Sequence, residues 1–255
     1  MNNIFAISPS NVYDINKMEY LLKSSDLLDI DIKIIGVGNK WTGFLSLISW
    51  IADYLNGLKD VDDKIVIITD AYDVFYISNL ELIEKKFKSM DVDILWSSEK
   101  WYSHQLESDR LFYDTLSSEI LSEYKYLNTG GCIGYVGDLK RFFNNIKDSI
   151  EGDEKFMKVL YRYWDGHLMG QDQTVISHYI SKNENKYNIE LDYNCEIFYT
   201  TPQDWDNIDS YVRIYNNKFF VKETQSYPCI VHSPRTHPSG HSTLEYLFNL
   251  SYNNE

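Results

Sequence analysis

Two aspartates three positions apart, Asp70 and Asp73, close the stretch KIVIITDAYD at residues 64–73. The β-branched run before them reads as a strand buried on both faces. In an open α/β sheet the ligand crevice lies beyond the carboxyl ends of such strands, where Asp70 would emerge. Two carboxylates there suit a hard divalent cation that also holds phosphate oxygens. The same spacing also fits a capped turn, with Asp73 serving only the helix that follows.

Three further segments carry polar groups at places where chemistry is done. In YLNTGGCIG, residues 126–134, Asn128 offers both a donor and an acceptor. Gly130 and Gly131 permit close backbone approach or unusual dihedrals, and they equally mark a tight bend in a sheet. In MGQDQ, residues 169–173, Asp172 opens an apolar helical pattern. There it is a base, a stabiliser of developing positive charge, or a first-turn acid favoured by the helix dipole. In PCIVH, residues 228–232, a strand ends in His232. An imidazole at that place is commonly structural, yet it would also complete a metal site with two Asp carboxylates.

The elements that must position these groups follow from apolar periodicity. Strands are predicted at residues 4–7, 32–37, 64–69 and 92–97, with helices around 18–27, 44–55 and 80–87 between them. That alternation predicts an α/β fold with a mixed, mostly parallel sheet flanked by helices. Residues 126–135 read as an extended segment broken by the glycine pair. Helices are predicted at 139–146, 156–163 and 172–180, a β-rich stretch at 189–220, a strand at 229–232 and a helix at 243–250. No Gly/Ser hinge, low-complexity linker or repeat divides the chain, so one domain over residues 1–255 is the expectation.

The balance of 24 Lys+Arg against 38 Asp+Glu leaves a formal charge of -14, which argues against nucleic acid or an anionic membrane as the main partner. Three widely spaced cysteines, Cys132, Cys195 and Cys229, form neither a zinc pattern nor a disulfide framework. The start carries no basic region followed by a long apolar core, and no run of 18 apolar residues occurs. The expectation is a soluble, cytoplasmic protein without a membrane span, in a setting that includes a virus or its host cell.

Taken in order, strand-DAYD, YLNTGG, QDQ and strand-His resemble a GT-A-type (Rossmann-like) glycosyltransferase, and more narrowly the glycosyltransferase domain of procollagen lysyl hydroxylases and related collagen glycosyltransferases. The resemblance includes the opening IFAIS strand and the phrase GVGNKWTG at residues 36–43, and covers nearly the whole chain. It implies a hexosyltransferase using UDP-glucose or UDP-galactose with Mn2+ (or Mg2+), acting on a protein or glycan acceptor. By matching position it implies that Asp70, Asp73 and His232 hold the metal and that Tyr72 stacks near the uridine. Trp41 would lie near the nucleotide pocket, with Asn128, Gly130 and Gly131 near the donor sugar. Asp172 would be the catalytic or donor-sugar contact.

The chain departs from that family at three points. The longer acidic run is reduced to Gln171-Asp172-Gln173, the Gly-Asn-Gly after the strand-end His is replaced by Ser233-Pro234-Arg235, and no basic residue occurs between Trp41 and Gly57. Arg235 is therefore the expected substitute partner for phosphate. Two other readings stay open: a binding-only relative that holds a nucleotide sugar or glycan without transfer, and a metal-dependent phosphohydrolase. The second class wants an acid two residues after the first Asp, and that place is Tyr72.

Overall fold

The computed structural model describes residues 3–103, 106–116, 120–163, 172–202, 204, 207–234 and 243–252. Strand β1 (Ile4–Pro9) leads to helix α1 (Glu19–Leu27), β2 (Ile32–Ile35), α2 (Leu45–Gly57) and β3 (Ile65–Thr69). After β4 (Val74–Tyr76) come α3 (Leu80–Lys88), β5 (Ile94–Glu99), a 3-10 turn (Glu107–Asp109) and α4 (Arg110–Leu116). The second half runs β6 (Tyr126–Tyr135), α5 (Val136–Gly152), α6 (Glu154–Tyr163), α7 (Asp172–Lys182), β7 (Ile189–Leu191) and β8 (Phe198–Thr200). It closes with α8 (Ile208–Tyr211), β9 (Val212–Tyr215), β10 (Lys218–Val221), β11 (Ile230–His232) and α9 (Thr243–Tyr252).

Six strands pair in the order β2-β1-β3-β6-β5-β7. Strand β1 is parallel to β2 and β3, β7 is parallel to β5, and β6 alone in this sheet runs antiparallel to both neighbours. The mixed, mostly parallel sheet expected from the sequence is thus present. Central β3 explains why its run is β-branched throughout. Val66 and Ile68 join one core with Leu55 of α2, Phe142 of α5 and Ile176 of α7. Ile65 and Ile67 join a second core on the other face with Leu21 of α1 and Phe87 of α3.

Local signals end the helices. Asn79 caps α3 by accepting from the Leu82 N–H at 3.1 Å, and Lys85, Lys86 and Lys88 lie in its last turn, where the helix dipole favours cations. Past α1, Asp29 takes φ 53° and the buried Ile30 returns its N–H to the Ser25 carbonyl at 2.8 Å.

Three sequence expectations change. Residues 126–135 form one continuous strand, paired with β3 over residues 131–135, not a broken segment. The irregularity falls on the β5 side, where Trp96 faces Cys132 but Ser97 faces Asn128, leaving residues 129–131 to bulge from β5. The β-rich stretch at 189–220 contains the short helix α8. Strand β4 and the helical segment ending in α4 were not expected from periodicity. Val74, Phe75 and Tyr76 are too few to show a period, but all three are buried in a small second sheet ordered β4-β11-β8. Among the described residues no helix is long and apolar enough to cross a membrane.

Candidate active site

The carboxyl end of β3 delivers Asp70, whose N–H extends the β3–β6 ladder to the Gly130 carbonyl at 3.2 Å. Three residues later Asp73 precedes β4, and β4 lies antiparallel to β11 with Val74 opposite His232. The Ser233 N–H donates to the Asp73 carbonyl at 2.8 Å and locks this crossing. Two segments more than 150 residues apart are therefore brought together by strand pairing rather than by a flexible loop.

The Asp70, Asp73 and His232 side chains each offer one ligand atom, all within 4.8 Å of one another. The His232 Nδ1 lies 2.9 Å from Asn128 Oδ1, which also accepts the Gly130 N–H at 3.0 Å. An amide oxygen only accepts, so Nδ1 carries a proton, and in the neutral imidazole the Nε2 lone pair is left over. That Nε2 is buried without a hydrogen-bond partner, 3.4 Å from Asp73 Oδ2 and 3.6 Å from Asp70 Oδ2. An acceptor facing two acceptors is satisfied by a cation, and this orphaned nitrogen with two carboxylates fits a divalent metal ion.

The local electrostatics express the same crowding. Burial and the facing Asp73 carboxylate push Asp70 up to about 8, with His232 pulling the other way. Burial opposes charge on His232, but Asp73, Asp70 and Glu99 outweigh it and raise the imidazole above its ordinary value. Gly130 has no positive φ to explain it. A Cβ there would meet His232 Cε1 at 2.1 Å, so the residue is glycine because the imidazole lies directly on the strand. Gly131 is likewise closed over by the Phe198 ring, 2.5 Å from where its Cβ would be.

Asp172 opens α7 and shares a cavity of about 20 Å³ with Asp70, Thr129 and Trp96. Burial pushes its carboxyl up to about 6 despite the Gln173 N–H at 2.9 Å. The adjacent Gln173 ties the start of α7 to the bulge of β6. Its Oε1 accepts the Thr129 N–H at 3.2 Å, and its Nε2 donates to Glu99 Oε1 at 2.7 Å and to the Ser103 carbonyl at 2.9 Å. Glu99 also accepts from Ser103 Oγ at 2.8 Å and from Asn128, and burial raises its carboxyl.

Beside the acids opens a cleft of about 480 Å³, lined by Pro9 at the end of β1, by residues 10–12 after it and by Lys17, Trp41, Phe44, Tyr72 and both Asp70 and Asp73. Tyr72 and Trp41 are each 42% exposed along this cleft. Tyr72 is steadied by a 2.8 Å hydrogen bond between its hydroxyl and Ser10 Oγ. Trp41 rests against Phe44 and Trp50, with ring centroids 5.3 and 5.9 Å away.

The structure thus gathers Asp70, Asp73, His232, Asn128 and Gly130 in one cluster, with Trp41 and Tyr72 along the adjoining cleft and Asp172 across the small cavity. Gly131 is set apart by its Phe198 cover. Arg235 lies outside the described residues. Sequence reading did not single out Glu99, the Gln173 side chain or Lys17. Gln173 stood inside the MGQDQ motif, and Glu99 followed a predicted apolar strand, whereas Lys17 carried no signal. Trp96 is a core residue against Phe142 and Phe143, whereas Trp101 is half-exposed.

A mostly parallel sheet with one reversed strand, flanked by helices and carrying acids at its carboxyl edge, is the architecture of GT-A-type glycosyltransferases. Mouse xyloside xylosyltransferase 1, in its apo form, shares the fold at a TM-score of 0.50 with 10% identity, covering 92% of this chain and 99% of that one. The family model described as the PLOD GT domain matches residues 10–253, and the chain belongs to that family. It is 27% identical over 210 residues to the uncharacterised protein R699 of Acanthamoeba polyphaga mimivirus, covering 78% of this chain and 39% of that protein. It is also 27% identical over 205 residues to the Drosophila melanogaster procollagen-lysine,2-oxoglutarate 5-dioxygenase, covering 71% of this chain and 27% of that enzyme. The chain therefore spans well under half the length of these relatives. By family it is a glycosyltransferase domain.

Proposed function

We propose that this single GT-A-like domain moves glucose or galactose from a UDP-sugar to an acceptor hydroxyl, with Mn2+ or Mg2+ held by Asp70, Asp73 and His232. The observation that carries the reading is the unpartnered His232 Nε2 aimed at two carboxylates on the wall of an aromatic-lined cleft. When bound, the divalent ion supplies Lewis-acid neutralisation of the charge that builds on a departing diphosphate. Tyr72 and Trp41 hold the uridine, and Asn128 beside Gly130 orients the donor sugar, so positioning lowers part of the barrier. Asp172, with its carboxyl at about 6, is suited to receive the acceptor proton or to face the positive charge developing on the sugar. The lysyl hydroxylase relatives support a collagen-type hydroxylysine as acceptor, and a glycan hydroxyl serves the same chemistry.

Calorimetry of the purified chain with UDP, UDP-glucose and UDP-galactose, each with and without Mn2+, tests the reading. Binding that requires the metal, and that Asp73→Asn abolishes while the fold persists, is the expected result. Metal-independent binding, or wild-type behaviour in Asp73→Asn, would overturn the assigned metal site.

A further inference from the structure

The cleft beside Asp70 and Asp73 contains one notable opposite charge, from a residue with no motif around it. The Lys17 backbone is placed by an Asx turn. Asp14 Oδ1 accepts the Asn16 and Lys17 N–H groups at 3.1 and 3.3 Å, and the Asp14 carbonyl accepts the Met18 N–H at 2.9 Å. Met18 is fully buried, so the turn cannot swing away from the cleft. From there the lysine reaches over Tyr72, with Nζ 5.8 Å from the ring centroid. Its nearest carboxylate among the described ion pairs is Asp14 at 3.9 Å, and its side chain is 67% exposed. The ammonium is thus exposed and held only by a long ion pair with Asp14, which a closer anion can displace.

The charge balance of the site calls for such a group. A diphosphate together with Asp70 and Asp73 carries more negative charge than one divalent ion returns. The surrounding chain, at -14, offers no general relief. The stretch from Trp41 to Gly57 contains no basic residue at all. Lys17 is the cation among the lining residues named for this cleft.

We propose that Lys17 is the donor-phosphate contact of this glycosyltransferase, its ammonium leaving the Tyr72 ring to meet a diphosphate oxygen when a nucleotide stacks there. The inference rests on the reading of the cleft as a nucleoside-diphosphate site. It makes Lys17 a determinant of donor affinity supplied by the loop after β1, in place of a basic residue after the Trp41 phrase.

The test is calorimetric titration of wild type, Lys17→Met and Lys17→Arg with UDP and with uridine, in Mn2+, at low and high salt. Lys17→Met is expected to weaken UDP about tenfold, the scale of one charge-assisted contact, and to leave uridine unchanged. Lys17→Arg restores most of the UDP affinity, and the difference shrinks in high salt. Equal UDP affinity in Lys17→Met and wild type, or an equal loss for uridine, overturns the phosphate assignment while leaving the nucleotide site in place. A wild-type protein that binds no UDP overturns both.

Discussion

Replacing Gly130 by alanine tests the core of the site with one methyl group. The added Cβ would lie 2.1 Å from His232 Cε1, 2.3 Å from Nδ1 and 2.6 Å from Nε2. Non-bonded carbons rest at about 3.5 Å, so the ring must withdraw by about 1.4 Å. It has little freedom to do so, because Nδ1 is bound to Asn128 and the residue is paired in β11. Overpacking of this kind costs about 1–3 kcal/mol. Metal–ligand distances tolerate shifts of only about 0.2 Å, so the same movement withdraws the imidazole from any bound ion. Urea unfolding and Mn2+ titration are run on Gly130→Ala, His232→Ala and the double variant. Gly130→Ala should lose about 1–3 kcal/mol of stability and at least about tenfold in Mn2+ affinity. On the His232→Ala background the stability cost should fall to about 0.5 kcal/mol or less, because the clashing ring is gone. If alanine at 130 costs the same with and without the imidazole, packing of His232 is not why that residue is glycine. If Gly130→Ala binds Mn2+ like wild type, His232 is not a ligand.

Metal affinity should rise with pH. Asp70 must lose a proton held up to about 8, and His232 must be neutral at Nε2, so both groups make protons compete with the ion. Mn2+ affinity measured across pH 6–9 should fall as pH drops below about 8, where Asp70 takes up its proton, and a flat profile would refute the coupling. Gln173→Ala leaves the Thr129 N–H and the buried Glu99 carboxylate short of a partner. It should cost about 2–3 kcal/mol in urea unfolding, and a neutral result would refute the bracing of α7 against β6. Away from the site, buried Asp109 binds His178 Nδ1 at 2.7 Å and Lys182 at 3.3 Å, so Asp109→Asn should cost about 3 kcal/mol without changing Mn2+ binding. Burial works against that carboxylate, but His178 and Lys182 hold it below its ordinary value. Its stabilisation is therefore present above the unfolded carboxylate pKa of about 4 and lost as pH falls through the lower folded one, so the variant should show a flatter acid limb.

Much of this architecture is legible in the chain because burial imposes periods on it. The β-branched run of β3, the three-and-four spacing along α2 and the acids at the end of β3 follow from which faces must be dry, and they placed Asp70 at the ligand edge. The ordered motifs also carried the family. Other features left no local trace. Strand β4 is three residues long, too short for any period, yet its pairing with β11 sets His232 beside Asp73. The glycine at 130 reads in sequence as a bend or a dihedral requirement. Only the position of an imidazole from 102 residues away shows it to be a matter of space. Glu99 and Gln173 become a brace because a bulge in β6 turns Thr129 toward α7, and Lys17 enters the cleft through a turn anchored by buried Met18. Local sequence determines which residues seek the interior and which chemistry each side chain offers. Which groups share a site, and which nitrogen is left without a partner, depends on long-range strand pairing, since hydrogen-bond and packing distances of a few ångströms are set only when remote segments meet.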